Sequence, residues 1–186
     1  MPTGESENQR LRLRDAAAGD AALLAFLHTE SWRSAYATLL DPAYLEHEME
    51  GERSAHWLAH LPTVLAGLGH IYIAERAGEI LGFVCVLRER DPDWGGYVDN
   101  LHVRPHLRGA GIGKVLLDAA LGWLHATGEP RAYLWVYEAN LSARGFYERE
   151  GWRNAQQLPA VGVPGGDGLM CCRYVRATAR GSRDRM

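Results

Sequence analysis

The stretch YVDNLHVRPHLRGAGIGKVLLDAAL, residues 97–121, decides how this chain reads. Its first seven residues alternate apolar and polar positions, the period of a strand. Pro105 and the glycines at 109, 111 and 113 break that strand, and residues 114–126, KVLLDAALGWLHA, have the spacing of an amphipathic helix that begins at about Gly111. Three closely spaced glycines let backbone N–H groups converge with no side chains in the way. The helix start adds the positive end of its dipole. The turn therefore reads as an anion site, flanked by the full charges of Arg108 and Lys114 and suited to a pyrophosphate.

Two better-known phosphate-binding patterns do not fit. The P-loop needs a glycine five positions before the Gly-Lys pair and Ser or Thr after it; here Arg108 and Val115 stand at those places. The dinucleotide fingerprint G-x-G-x-x-G meets Lys114 where its last glycine belongs, and no early βαβ unit surrounds it. Both departures count against a nucleotide-dependent enzyme.

Outward from this segment, RLRLR at 10–14 reads as a short strand with Leu11 and Leu13 inward, and Asp20 as the cap of a helix over AALLAFLHTE. Residues 31–61 read as helical but interrupted, restarting at Asp41–Pro42 and ending at Pro62. Residues 70–75 and 80–88 form a hairpin across Arg76-Ala77-Gly78-Glu79. After the central segment come a strand at 133–139, a helix opened by Asn140 and stopped by Gly151, a glycine-rich loop at 159–168 and a last strand at 169–175. The order implies an α/β (α+β) mixed sheet with helices on both sides. The expected organisation is a flexible N-terminus at 1–9, one domain over 10–175 and a flexible basic tail at 176–186.

The chain has 186 residues, 20 Lys+Arg against 23 Asp+Glu and a net charge of −3. That balance argues against a nucleic-acid partner. No apolar run approaches the roughly 20 residues that span a bilayer, and MPTGESENQR lacks the pattern of a secretory signal. Cys85, Cys171 and Cys172 are too few for a disulfide framework and read as packing residues, so a reduced, cytoplasmic protein is expected. His56 and His60 are spaced i, i+4, but no third ligand is evident in sequence; they read as a solvated helix face, and no metal is expected.

RGAGIG at 108–113 is similar to the [R/Q]-x-x-G-x-[G/A] signature of the GNAT superfamily of acyl-CoA-dependent N-acyltransferases. LHVRP at 101–105 resembles the exit of that family's fourth strand. NLSARGFYEREGW at 140–152 resembles its N-x-x-A-x-x-F-Y-x-x-x-G-F/W segment, with Asn140, Ala143, Phe146, Tyr147, Gly151 and Trp152 in place. The likeness runs from about residue 10 to 175. It implies a mostly antiparallel mixed sheet splayed between strands 4 and 5, with the pantetheine of acetyl-CoA lying in the splay as a mimic strand.

By the same resemblance, backbone groups of Leu101, His102 and Val103 would bond the pantetheine. The N–H groups of Gly109, Ala110, Gly111, Ile112, Gly113 and Lys114 would bond the pyrophosphate, with Arg108 nearby and Asn140 on the pantetheine arm. Tyr147 matches the family's acid. The implied reaction is direct acetyl transfer, in a ternary complex, to a small-molecule or peptide primary amine. Members of the family often form homodimers.

An alkyl ammonium with a pKa near 10.4 must lose a proton before it attacks a thioester. Strand parity puts Asp99 with Tyr97, Leu101 and Val103 on one face, unless a bulge intervenes, and sends His102 to the other. Asp99 is the preferred base and His102 the second choice. Asp91, Asp93 and Asp99 together would favour a cationic acceptor. The alternative reading is a non-catalytic acyl-CoA sensor or interaction module of the same fold.

Overall fold

The computed structural model describes residues 10–161 and 168–179, and the backbone alone at residues 89 and 90. The sequence readings at 1–9, at 162–167 within the glycine loop and at 180–186 lie outside the described residues. Seven strands form one sheet: β1 (Arg12–Asp15), β2 (Gly69–Arg76), β3 (Glu79–Asp91), β4 (Gly95–Val103), β5 (Arg131–Tyr137), β6 (Arg153–Pro159) and β7 (Met170–Ala177). Their order is β1-β2-β3-β4-β5-β7-β6, and only β4 and β5 run parallel. The β2–β3 hairpin turns on Ala77 and Gly78, at φ 52° and 81°. Two left-handed residues in a row match the right-handed twist of the flanking strands.

Four α-helices cover the two faces: α1 (Ala21–Tyr36) and α2 (Met49–Thr63) on one, α3 (Ile112–Ala126) and α4 (Leu141–Arg149) on the other. Helix α3 buries Ile112, Leu116, Leu117, Ala120, Leu121 and Leu124, one stripe of a 3.6-residue period, against Val84, Val86, Val98 and Leu134. Across the sheet, Leu24 and Leu27 of α1 and Trp57 and Leu61 of α2 close over Ile71, Ile73 and Phe83.

The feature that positions the site is the β4–β5 seam. These strands pair only at Gly96↔Ala132 and Tyr97↔Tyr133. From Val98 onward, β4 has no strand partner on that side among the described residues, so the expected splay is present.

Several local readings need correction. Pro62 does not end its helix. It sits in the last turn of α2, and a wider π-helical turn over Val64–Leu68 carries the chain on until Gly67 reverses it at φ 108°. Asp20 precedes α1 without capping it by a side-chain bond. Its carboxylate accepts the Ala17 N–H at 2.8 Å and takes two guanidinium bonds from Arg14, at 2.8 and 2.9 Å, tying β1 to the helix entry. Strand β5 starts at Arg131, two residues before the expected 133. Strand β7 runs to Ala177, past the expected 175, and Thr178 is buried with its hydroxyl donating to the Glu129 carbonyl, so residues 176–178 belong to the fold. Strand β6 carries no strand signal in sequence because RNAQQLP is almost wholly exposed and lacks alternation; its backbone bonds to β7 make it a strand.

Candidate active site

The decisive local event is a bulge in β4. Cys85 pairs with Asn100 and Val86 with Val98, which leaves Asp99 as an extra residue. Before and after it the parity inverts. Tyr97, Asn100 and His102 pair with Leu87, Cys85 and Phe83, whose side chains belong to the core under α1 and α2. Leu101 and Val103 pair with Val84 and Gly82 and pack with Val98 on the α3 side. The grouping of Asp99 with Leu101 and Val103 is therefore corrected, and so is the separation of His102 from Asp99. The Asp99 carboxylate meets α2, with an oxygen 3.3 Å from His60 Nε2, and accepts a 2.7 Å bond from Asn100 Nδ2. Tyr97 packs beside it; burial first, then the charge of Asp99, pushes its phenol well up.

His102 is unfit as a base. Its ring stacks on His28 at 4.3 Å, its Nε2 lies 3.2 Å from Asn100 Oδ1, and burial pulls its pKa down to about 3. It stays neutral and packed. His28 follows the same logic: it accepts the Trp57 indole N–H at 3.2 Å and burial lowers its pKa.

The expected solvated face at His56 and His60 is also overturned. Both rings pack beneath the bulge, 5.0 Å apart, with both Nε2 atoms buried. Burial, then His60, lowers the His56 pKa.

The splay opens a cleft of about 810 Å³. Its lining includes aromatic and histidine side chains of α1 and α2, Asp99 and the glycine turn. Gly109 and Gly111 adopt φ 85° and 80°, a left-handed conformation in which L side chains are strained. Gly111 is the N-cap of α3, whose first intrahelical bond is Val115 N–H to the Gly111 carbonyl. The amides of Ile112, Gly113 and Lys114 have no carbonyl one turn earlier in the helix to bond. Gly109, Gly111, Gly113 and Lys114 line the cleft, whereas Ala110 and Ile112 do not. The Ala110 N–H is engaged with the Leu107 carbonyl, and the Ile112 side chain is buried in the core.

The two flanking cations differ from each other. Arg108 lines the cleft and reaches α1, donating to the Ser31 carbonyl at 3.1 Å and to Ser34 Oγ at 3.2 Å. The Lys114 ammonium is paired with Glu150 at 2.7 Å and Asp118 at 3.3 Å, so it is not the free flanking charge expected from sequence.

Leu101 and Val103 border the open edge of β4. Asn140 caps α4 by accepting the Ala143 N–H at 3.1 Å, while its Nδ2 donates to the Tyr36 hydroxyl at 3.3 Å. Tyr147 lines the cleft from α4 with no side-chain hydrogen bond among the described residues; burial raises its pKa, and Tyr36 adds to the rise. A convergent set of backbone amides, an unpaired strand edge and a phenol thus share one cleft with a carboxylate.

A sequence model of the Acetyltransferase (GNAT) family matches residues 26–152. The chain belongs to the GNAT acetyltransferase family. Among its relatives is the protein named "Probable N-acetyltransferase Rv2775" of Mycobacterium tuberculosis, 30% identical over 142 residues that cover 75% of this chain and 78% of that protein. The mycothiol acetyltransferase of Streptomyces avermitilis is 40% identical over 81 residues, 44% of this chain and only 26% of its own length. Solved structures share the GNAT fold at lower identity. The PaiA N-acetyltransferase of Thermoplasma acidophilum, in complex with coenzyme A, superposes with TM-score 0.70 at 20% identity, covering 87% of this chain and 98% of that one. YncA of Salmonella typhimurium, solved with its cofactor acetyl-CoA, gives 0.66 at 19% identity over 95% and 99%. No helix among the described residues is long and apolar enough to cross a membrane.

Within this cleft, sequence reasoning missed the structural partners that arrive from α1 and α2. Ser31 and Ser34 hold Arg108, Tyr36 holds Asn140, and His60 meets Asp99. The one available signal was the helical spacing of His56 and His60, which without the bulge had nothing to point at.

Proposed function

We propose that the protein transfers the acetyl group of acetyl-CoA directly to a primary amine bound beside Asp99. The observation that carries this reading is the β4 edge left unpaired from Val98 to Val103, opening onto the glycine turn and Tyr147 in one cleft. The residues fit acetyl-CoA. The edge of β4 offers backbone groups of Leu101, His102 and Val103 to an extended amide chain, and the left-handed Gly109 and Gly111 leave space that a Cβ would occupy. The α3 start offers amides to the pyrophosphate, with Arg108 on its flank and Asn140 beside the arm.

When bound, acetyl-CoA supplies a thioester carbonyl open to attack and a thiolate as the leaving group. The chain's own residues manage protons and orientation. Asp99, held by Asn100, accepts a proton from the substrate ammonium, directly or through one water. A backbone N–H of β4 donates to the carbonyl oxygen as charge develops on it. The C–N bond forms, the C–S bond breaks, and Tyr147 gives its proton to the departing sulfur; the second proton of the attacking nitrogen then leaves through water and restores the Tyr147 phenol. The high pKa of a buried phenol keeps that proton available at neutral pH. The acceptor is a small-molecule or peptide amine that meets the aromatic and histidine side chains of α1 and α2.

The test is thermal denaturation with acetyl-CoA, CoA and ATP in parallel, followed by thiol release with a panel of primary amines. At 100 times the dissociation constant a ligand stabilises by about 2.7 kcal/mol, or several degrees at this length. Stabilisation by both CoA ligands and not by ATP, with amine-dependent thiol release, is expected. No shift with millimolar acetyl-CoA overturns the proposal, and a shift with no turnover on any amine leaves a sensor of acyl-CoA instead.

A further inference from the structure

Two imidazoles and a carboxylate meet at the wall of the cleft, which His56 and Asp99 line. His56 and His60 stand one turn apart on α2, and the bulge in β4 delivers Asp99 between strand and helix. One ligand atom from each of the three lies within 4.8 Å of the others. His60 Nε2 is 3.3 Å from an Asp99 oxygen, yet the two do not align as a hydrogen bond, and the Nε2 atoms of both histidines are buried with no hydrogen-bond partner among the described residues. Buried polar atoms left this way are costly, and two adjacent ones sharing a carboxylate are a pattern that one shared partner resolves.

The dimensions suit a metal ion. Zinc bound tetrahedrally by imidazole and carboxylate at about 2.0–2.2 Å sets its ligand atoms about 3.3–3.5 Å apart. The His60–Asp99 edge already has that length, and the remaining edges close by rotamer adjustment from at most 4.8 Å. Asn100 Nδ2 donates a 2.7 Å bond to Asp99 Oδ2, the same oxygen that faces His60, and so holds the ligating carboxylate in place. His56 and Asp99 line the cleft, so a fourth coordination position opens toward the acceptor. The ligand set of two nitrogens and one oxygen favours ions of the zinc class over magnesium or calcium.

The geometry points to a mononuclear site for a zinc-class divalent cation, with His56, His60 and Asp99 as its protein ligands. Its existence does not depend on acetyl transfer. If Asp99 is the proton acceptor of that reaction, an ion bound there removes it from service, so zinc occupancy lowers turnover.

The test titrates the chelator-treated, full-length protein with Co²⁺ and follows the visible d–d absorption, then displaces it with Zn²⁺. One equivalent of tetrahedral Co²⁺ is expected, with affinity falling at least about 100-fold in His60→Ala and in His56→Ala and about 10–100-fold in Asn100→Ala. Circular dichroism checks that each variant folds, and His60→Gln replaces any alanine variant that does not. No uptake at micromolar metal overturns the site. So does uptake undiminished in both histidine variants, or a spectrum with thiolate charge-transfer bands, which would place the ion on cysteine. These readouts stand whether or not any amine is acetylated.

Discussion

The buried neutral state of His102 has a consequence that can be measured in solution. A histidine that titrates near 6.5 in the unfolded chain and at about 3 in the folded one binds fewer protons folded than unfolded between those values. Stability therefore rises with pH across that window. It is fully present above about 6.5 and drains away as the pH falls, by at most about 1.4 kcal/mol per unit. From pH 7 to pH 5 the loss through His102 alone is about 2 kcal/mol, which lowers Tm by about 4–8 °C at this length. His28 titrates in the same sense, so the whole protein falls further. The perturbation that isolates His102 is His102→Gln, which keeps a polar partner for Asn100 and removes the titrating ring. Melting curves of both proteins from pH 7 to 5 give the answer by difference: the parent loses about 2 kcal/mol more than the variant. Parallel curves would refute the reasoning, because His102 would then titrate alike in the folded and unfolded states.

Tyr147→Phe should lower kcat for thiol release by about 100-fold or more while the stabilisation by CoA persists; an unchanged kcat would leave Tyr147 as packing alone. Asp99→Asn should depress kcat/KM for the amine at neutral pH by about 100-fold or more, with recovery as the pH approaches the amine's own pKa near 10; a deficit equal at every pH would remove Asp99 from proton transfer. Gly111→Ala places a side chain at φ 80° and should cost about 1–2 kcal/mol in thermal unfolding, with weaker stabilisation by acetyl-CoA. Gly82→Ala drives a Cβ to 2.4 Å from the His102 carbonyl oxygen, so a loss of about 3 kcal/mol is expected by chemical denaturation, and a wild-type midpoint would contradict the close strand approach.

What was legible in the sequence was local. The α3 start declares itself through glycines and an apolar stripe, the α4 start through Asn140 and its bond to Ala143, and the β2–β3 hairpin through its two-residue turn. What was not legible depends on residues far apart in the chain. Whether Asp99 is bulged is settled by the register against Cys85 and Val86, and nothing within residues 97–103 reveals it. That single extra residue turns His102 toward α1 and brings a carboxylate to His60. The shorter of the Lys114 ion pairs is to Glu150, 36 positions away, although the Asp118 partner at i+4 lies within reach of a local reading. Strand β6 has no alternation to read, since an edge strand facing water on both sides needs only backbone partners.

The two rungs joining β4 to β5 also bear on how the molecule holds together. β1 to β4 form one run of antiparallel pairs and β5 to β7 another, and along the sheet the two runs meet only at Gly96↔Ala132 and Tyr97↔Tyr133. Beside that join Arg173 acts as a clasp, 3.6 Å from Asp91 and sandwiched between Trp94 at 4.4 Å and Trp135 at 4.5 Å. Farther along, the seam relies on α3, on α4 and on single contacts such as Asn140 to Tyr36. A ligand lying in such a gap does more than fill a site. It couples two halves of the sheet that are otherwise joined by few strand-to-strand bonds, so the amides of β5 and β7 should exchange with solvent more slowly when the gap is filled, and cooperativity of unfolding becomes a property of the complex.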